Sequence, residues 1–271
     1  SIAGNNTQLY SRLKEYNPVQ TAHEFNVASK QSLEKLSAQV SDVFTTVSEI
    51  TGRECEAFLG KKPDVVTPNG FEDSFVPAPE NFDQARQTAR DRLLKVAGTL
   101  LGQDLPADTL LVSTSGRYEY RNKGIDLFLS SLGAINRKAE SDRQCVAFIL
   151  VPAYHKGPRQ DLAMALAGGS HVSEGDRYLT HGLHYVNEDP VMNQLIREEI
   201  HNIPSEKVKV IFVPSYLNGN DGIFNMPYYD LLIGFDLTLY PSYYEPWGYT
   251  PLESLMFRVP TVTTNLAGFG M

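Results

Sequence analysis

The stretch Phe235-Asp-Leu-Thr-Leu-Tyr-Pro-Ser-Tyr-Tyr-Glu-Pro-Trp-Gly-Tyr-Thr-Pro-Leu-Glu253 decides the fold class. Its first six residues alternate between apolar and polar side chains, which predicts a buried strand. A helix is predicted next, because Thr250 as N-cap, Pro251 at the first position and Glu253 three residues after the Thr form a capping box. Residues 261–264 then predict another strand. A strand, turn, helix and strand within about thirty residues form a βαβ unit, which binds ligands at the carboxyl ends of its strands.

Two carboxylates, Glu245 and Glu253, lie on either side of the predicted turn. Each glutamate also has an interpretation without a functional role. Glu245 is then an exposed acidic residue of the loop, and Glu253 is a helix-capping glutamate, which is the interpretation that Glu253 considered alone would favour. Between them lie the only tryptophan, Trp247, and the neighbouring Gly248 and Tyr249. Aromatic rings and a glycine beside a helix N-terminus suit a nucleotide diphosphate sugar, through stacking, close backbone approach and amides for phosphate.

A basic loop follows the apolar run 109–115, which predicts a strand of the parallel kind. The loop reads Gly116-Arg-Tyr-Glu-Tyr-Arg-Asn-Lys-Gly124 and leads into a predicted helix. Arg117 and Lys123 can converge on a pyrophosphate, since Arg offers a planar fork and Lys a mobile point charge. The alternative is a basic loop that is simply solvated. Composition alone does not distinguish this interpretation from a phosphate-binding loop.

The rest of the chain alternates between predicted strands and helices, which indicates an α/β protein. Helical spacing is predicted over residues 21–40, 48–59, 81–101 and 190–203, and strands over 42–47, 63–67, 145–151 and 208–214. The remainder of 155–207 is polar and predicted to be irregular.

Composition limits the function classes. The 271 residues carry a net charge of −8, which makes nucleic acid and anionic membranes poor partners. Cys55 and Cys145 lie far apart in apolar settings, as expected for a protein of the reducing cytoplasm. No apolar run approaches the roughly 18 residues of a membrane span. The six histidines show no metal-ligand spacing, so no metal site is predicted.

Several motifs resemble the eukaryotic-type glycogen synthases, which form glycosyltransferase family 3. They are the segments 242–253, 262–270, 116–124, 41–51 and 62–70. The resemblance implies a GT-B fold, in which two Rossmann-like domains of doubly wound parallel sheet enclose a cleft. It also implies a retaining transferase that uses UDP-glucose as its donor and needs no cofactor or metal.

The resemblance implies roles for individual residues. The catalytic residues would be Glu245, Arg117 and Lys123. The donor-binding residues would be Glu253, Trp247, Gly248, Tyr249 and Thr250, with Tyr216 and Tyr228 against the uracil. Ordinary packing is the alternative for these two tyrosines.

The resemblance also implies a domain plan. Residues 1–75 would be the end of the acceptor-side N-terminal domain, and 76–271 a truncated nucleotide-sugar-binding domain. The chain lacks a Lys-x-Gly-Gly loop, so we expect a central to C-terminal fragment of a bacterial family member that does not elongate glucan alone. Residues 155–207 depart from the eukaryotic pattern, so the resemblance implies no particular oligomeric state. A homo-oligomer is one possibility.

The predicted activity is transfer of glucose from UDP-glucose to the 4-hydroxyl end of an α-1,4-glucan such as glycogen. One alternative is an ADP-glucose-dependent starch or glycogen synthase, or another retaining GT-B transferase. A noncatalytic nucleotide-sugar-binding module is the alternative from another class.

Overall fold

A computed structural model describes residues 8–138, 143–169, 172 and 175–271. Within these residues, the main sheet contains five parallel strands: β3 (Leu110–Ser115), β4 (Cys145–Leu150), β7 (Val208–Val213), β8 (Leu237–Tyr240) and β9 (Thr261–Thr263). Their order across the sheet is β7-β4-β3-β8-β9. The predicted strands at all five positions are confirmed. Because the strands are parallel, their carboxyl ends meet at one edge of the sheet.

Helices cover both faces of this sheet, so the α/β, doubly wound prediction is confirmed. Leu93 of α4 packs in the same cluster as Phe148 of β4, whereas Phe128 of α5 packs with the next strand residue, Ile149, in a second cluster. Successive side chains of a strand point to opposite faces, so one strand contributes to both cores. The first layer contains α4 (Pro79–Leu101), α6 (Gln160–Leu166) and α8 (Tyr228–Leu232), and the second contains α5 (Ile125–Lys138) and α7 (Pro190–Arg197).

Residues 8–70 lie outside the main sheet. They contain α1 (Pro18–Glu24), α2 (Ala28–Val40), β1 (Thr45–Thr46), α3 (Glu49–Leu59) and β2 (Val65–Val66), with β1 and β2 paired in parallel. The predicted helical stretch 21–40 is divided in two, because Asn26 has a positive φ of 54° and interrupts the helix. The predicted strands 42–47 and 63–67 are longer than the two-residue pair observed, in which each strand has a single partner.

The prediction of irregular structure across much of 155–207 was wrong. Strands β5 (His155–Pro158) and β6 (His181–Leu183) form an antiparallel pair, with α6 between them in sequence. Helix α7 ends at Arg197 rather than continuing to residue 203, and Glu199 beyond it has a positive φ of 55°.

Single turns of 3₁₀ helix connect several elements. They are Leu13–Glu15, Asp73–Phe75, Val186–Glu188 and Gly268–Gly270. The turn at Asp73–Phe75 precedes α4, close to the predicted domain boundary at 75/76, which stays a prediction. Among the described residues, no helix combines the length and apolarity needed to cross a membrane.

Candidate active site

A cavity of about 460 Å³ opens at the carboxyl edge of the main sheet. The last residues of β3 and β4 and the segment that follows β7 form its floor, as expected for a ligand site in a parallel sheet. Its lining residues are Ser115, Gly116, Arg117, Tyr118, Leu150, Pro152, Ser215, Tyr216, Leu217, Asn218, Tyr228 and Thr250. Four of the sequence-predicted site residues are among them: Arg117, Tyr216, Tyr228 and Thr250.

Arg117 enters the cavity from the loop between β3 and α5. Its side chain is 77% exposed and forms an ion pair with Glu119, with 2.8 Å between Arg117 Nη2 and Glu119 Oε1. An ion pair that is largely in water contributes little stability. The guanidinium can therefore exchange this partner for an anionic ligand at small cost.

Two tyrosines contribute to the cavity wall in different ways. Tyr216 is 75% exposed, so a face of its ring is free to stack on a planar group. Tyr228, at the start of α8, turns its hydroxyl to Ser115 Oγ at 2.8 Å. Tyr216 can thus adapt to a ligand, whereas a hydrogen bond to the end of β3 holds Tyr228.

Buried hydroxyl groups connect the cavity floor to the helix α9 (Tyr249–Met256). Ser115 Oγ lies 3.4 Å from Tyr240 Oη, which lies 3.0 Å from Ser254 Oγ, and Ser254 Oγ donates to Thr250 O at 2.9 Å. None of the site residues predicted from the sequence is Ser115, Tyr240 or Ser254. Their sequence signal is weak: Ser115 and Tyr240 end predicted parallel strands, and Ser254 lies in the helix that follows.

Lys123 and Glu245 meet beside the cavity. Lys123 Nζ donates to Glu245 Oε2, and the two side chains are only 16% and 17% exposed. A Cβ placed on Gly116 would lie 3.9 Å from Lys123 Cε, so the lysine stem reaches the cavity rim. The structure therefore brings together two candidate catalytic residues from loops 122 positions apart.

Burial lowers the pKa of Lys123, with Glu119 acting against this shift and Arg117 adding to it. Lys123 and Glu245 form an ion pair in which both side chains are largely buried. The largely buried Lys123–Glu245 ion pair therefore places a positive and a negative group within reach of the same bound molecule.

The start of α9 corrects one prediction. Gly248, rather than Thr250, occupies the N-cap position, and its positive φ of 102° suits glycine. No side chain caps this helix, so the predicted capping box is absent. The backbone turns at Gly248, which starts the helix at Tyr249 and places Thr250 in the first turn, at the cavity. A Cβ on Gly248 would lie 3.4 Å from Glu245 Cγ, which is an ordinary van der Waals contact, so the positive φ rather than a lack of space favours glycine here.

Four predicted donor-binding residues do not line the cavity: Trp247, Gly248, Tyr249 and Glu253. Trp247 packs edge-on against Phe269, with 5.7 Å between ring centroids. Tyr249 is exposed at the helix start. Glu253 accepts a hydrogen bond of 3.0 Å from the Tyr229 hydroxyl. Their contact with a donor stays a prediction, and so do the roles of the other site residues.

Burial raises the pKa of the Glu253 carboxyl, and the hydrogen bond from Tyr229 acts against that shift. A capping glutamate would lie in water near the helix N-terminus, whereas this one is half-buried beside an aromatic cluster. Its carboxyl group is therefore easier to protonate than that of an exposed glutamate.

Metal-ligating side chains do not cluster in the described part of the chain: no group of three His, Cys, Asp or Glu residues could hold an ion. Cys55 and Cys145 are free thiols, and burial raises the pKa of Cys145 to about 12. A thiol with this pKa is a poor nucleophile at neutral pH.

The sequence model of the family described as glycogen synthase matches residues 1–161 and 173–271. The glycogen [starch] synthase of Neurospora crassa is 32% identical over an alignment 327 positions long, which covers 99% of this chain and 46% of that protein. The liver glycogen [starch] synthase of Rattus norvegicus is also 32% identical, over 98% of this chain and 45% of that protein. The chain thus spans about half the length of the curated relatives it matches.

Among solved structures, the fold is similar to that of WaaG, described as a glycosyltransferase involved in lipopolysaccharide biosynthesis. The TM-score is 0.52 at 12% sequence identity, covering 96% of this chain and 55% of that one. This likeness supports the predicted GT-B fold and carries no information on substrate. The match of the family's sequence model over nearly all residues is stronger evidence, and from it we conclude that this chain belongs to the glycogen synthase family.

Proposed function

We propose that this protein transfers glucose from UDP-glucose to the 4-hydroxyl end of an α-1,4-glucan, with retention of anomeric configuration. The observation that carries the proposal is the cavity at the carboxyl edge of the sheet. There an exposed guanidinium, two tyrosines and the first turn of a helix lie beside the Lys123–Glu245 pair. Membership of the glycogen synthase family supports the choice of donor and acceptor.

The proposed chemistry needs positive charge where UDP leaves. As the bond between glucose C1 and the phosphate oxygen breaks, negative charge builds up on the phosphate oxygens. Arg117 and Lys123 lie on one loop at the cavity and supply two cations, with the amides of the first turn of α9 nearby. Charges and dipoles that are in place before the reaction stabilise the transition state without reorganisation.

The same step needs a group that stabilises the sugar. C1 acquires positive charge as the leaving group departs, and a carboxylate close by offsets that charge. Glu245 is suited to this role because it is largely buried next to the cavity rim, where the low dielectric strengthens its effect. In the proposal Glu245 also accepts hydrogen bonds from sugar hydroxyls, and Glu253 contacts the ribose.

The proposed division of labour follows the predicted domain plan. Residues 76–271 contain the sheet and the cavity, and bind the donor. Residues 1–75 lie on the acceptor side, where the glucan approaches Glu245. Such a protein acts in the cytoplasm, where free thiols such as Cys55 and Cys145 stay reduced.

The proposal is tested through binding, with Arg117→Ala as the informative variant. We expect isothermal calorimetry to show that it weakens UDP binding to this chain by about 1.5–3 kcal/mol, because a charge-assisted hydrogen bond to phosphate is lost. Arg121→Ala is the matched control. Arg121 lies on the same loop, is 63% exposed and pairs with Asp126, but does not line the cavity.

Equal UDP affinities of the two arginine variants would contradict the role given to Arg117. A competition experiment with ADP-glucose tests the donor: if it displaces UDP-glucose at equal or lower concentration, the starch-synthase alternative is favoured. Absence of any nucleotide binding by the unaltered chain would contradict the proposed function as a whole.

A further inference from the structure

Helix α3 contacts the turn that carries Glu245 on both sides of that residue. Tyr244 Oη donates to Glu54 Oε2 at 3.1 Å. Ser48 Oγ and Thr51 Oγ1 both donate to the carbonyl oxygen of Pro246, at 2.6 and 3.2 Å. The two neighbours of Glu245 in sequence are therefore held by a helix about 190 residues earlier in the chain.

Glu54 is the centre of this contact. Its other oxygen, Oε1, accepts a hydrogen bond of 2.6 Å from the Tyr10 hydroxyl. The rings of Tyr10 and Tyr244 are stacked, with 6.2 Å between centroids and 22° between planes. Each carboxylate oxygen thus receives one phenol, so Glu54 fixes the Tyr244 side chain in both position and orientation.

The backbone around Glu245 is equally restricted. Glu245 N donates to Leu266 O at 3.3 Å, and Gly268 N donates to Glu245 O at 3.0 Å. A Cβ on Gly268 would lie 2.3 Å from Pro246 O and 2.5 Å from Ser48 Cβ. The turn, the segment after β9 and the start of α3 therefore form one closely packed unit, in which a shift of Tyr244 moves Glu245.

We propose that Glu54 is a positioning residue for Glu245. By binding Tyr244, Glu54 holds the turn so that the Glu245 carboxylate stays beside Lys123 at the cavity rim. Glu54 does not line the cavity itself, so it acts through the turn and contributes no contact to UDP. This inference rests on the proposed function, because it assigns Glu245 to the glucose moiety of the donor.

The ratio of the affinities for UDP-glucose and UDP reports on Glu245, because only UDP-glucose carries the sugar. The extra negative charge on the terminal phosphate of UDP is the same for every variant and cancels when the ratios of variants are compared. Tyr244→Phe removes the hydroxyl alone, and Glu54→Gln keeps the size of the side chain while removing its charge. We expect each variant to lower this ratio about three- to tenfold, the usual effect of losing one hydrogen bond, while UDP affinity stays unchanged. Tyr178→Phe is the control, because it removes a half-buried hydroxyl that binds Ile200 O, outside the cavity.

A double-mutant cycle separates positioning from general destabilisation. Glu245→Ala should lower the affinity ratio, and adding Tyr244→Phe to it should cause no further fall. The inference is overturned if Tyr244→Phe leaves the ratio unchanged, or if its effect is the same with and without Glu245. Failure of the unaltered chain to bind UDP would instead contradict the proposed function, and this inference with it.

Discussion

The charged residues at the site differ mainly in the solvent exposure of their side chains. Arg117 stands in solvent, whereas Lys123 and Glu245 are largely buried and paired. The difference suits their proposed tasks, because a mobile cation captures phosphate and a buried carboxylate acts strongly on nearby charge. Glu253 is also partly buried, and burial raises the pKa of its carboxyl group.

The variant Glu253→Gln is expected to raise the melting temperature at pH 7 by a few degrees. Burial raises the pKa of Glu253 in the folded state, so protonation of this group stabilises the folded protein below the unfolded pKa of about 4.3. That stabilisation is lost as pH rises through the folded pKa. Gln still accepts the Tyr229 hydrogen bond and carries no charge, so the advantage of the variant should disappear as pH falls to about 4.

Thermal denaturation across this pH range checks the prediction. Glu188→Gln serves as the control, since Glu188 is exposed and its charge stays in water. A Glu253→Gln protein that is less stable than the parent at pH 7 would show that the folded state favours the charged carboxylate.

At the scale of elements, the site depends on the close approach of two loops. Gly124, between β3 and α5, has a φ of +66°, and a Cβ placed on it would lie 1.9 Å from Pro241 O. Pro241 follows β8, so this contact brings the loop of Lys123 against the turn of Glu245. A glycine is required there both for its backbone conformation and for the absence of a side chain.

We expect Gly124→Ala to separate the two loops, lower the free energy of unfolding and weaken UDP binding. Gly102→Ala is a matched control, because Gly102 has the same φ of +66° and a Cβ placed on it would have no atom within 4 Å. The control should lose only the roughly 1–2 kcal/mol of a left-handed residue. Urea unfolding and calorimetry measure both quantities, and equal losses in the two variants would show that the contact with Pro241 is unimportant.

At the scale of the whole molecule, the cavity and the main ion-pair cluster of the sheet lie at opposite ends of the strands. The cavity lies at the carboxyl ends, and the cluster around Asp236 lies at the amino end of β8. At the amino end of β8, Asp236 accepts hydrogen bonds from Arg86 and Arg90 of α4, at 3.1 and 2.8 Å. It also accepts one from the backbone N–H of Leu111 in β3, at 2.9 Å. This carboxylate joins a helix layer to two strands, at the end of the sheet opposite the cavity.

The variant Asp236→Asn should therefore lose about 3 kcal/mol of unfolding free energy, because two partly buried arginines lose their charged partner. Its UDP affinity should be unchanged, since the cavity lies at the other edge. Asp91→Asn is the control: Asp91 is exposed on α4 and accepts one hydrogen bond, from Gln87. Chemical denaturation and calorimetry check both values, and a loss no larger than that of Asp91→Asn would contradict the anchoring role.

Local pattern was sufficient to predict the five strands of the main sheet and the loops that follow β3 and β8, but it missed β5 and β6. The segments that form β3, β4 and β7 are rich in apolar and β-branched residues, and strands buried on both faces of a parallel sheet have this composition. The position of Arg117 after β3 and of Glu245 after β8 follows from this alternation, because parallel strands present their carboxyl ends together. The sequence by itself thus determined the α/β class and the edge of the sheet at which the cavity opens.

Only the tertiary structure decided which side chains meet. It placed Trp247 against Phe269, Glu253 against Tyr229, and Gly248 rather than Thr250 at the N-cap. It also revealed Glu54 beneath the turn of Glu245. Motif spacing specifies neighbours along the chain, whereas contacts such as Glu54–Tyr244 depend on the packing of segments far apart in sequence, which a local pattern does not encode.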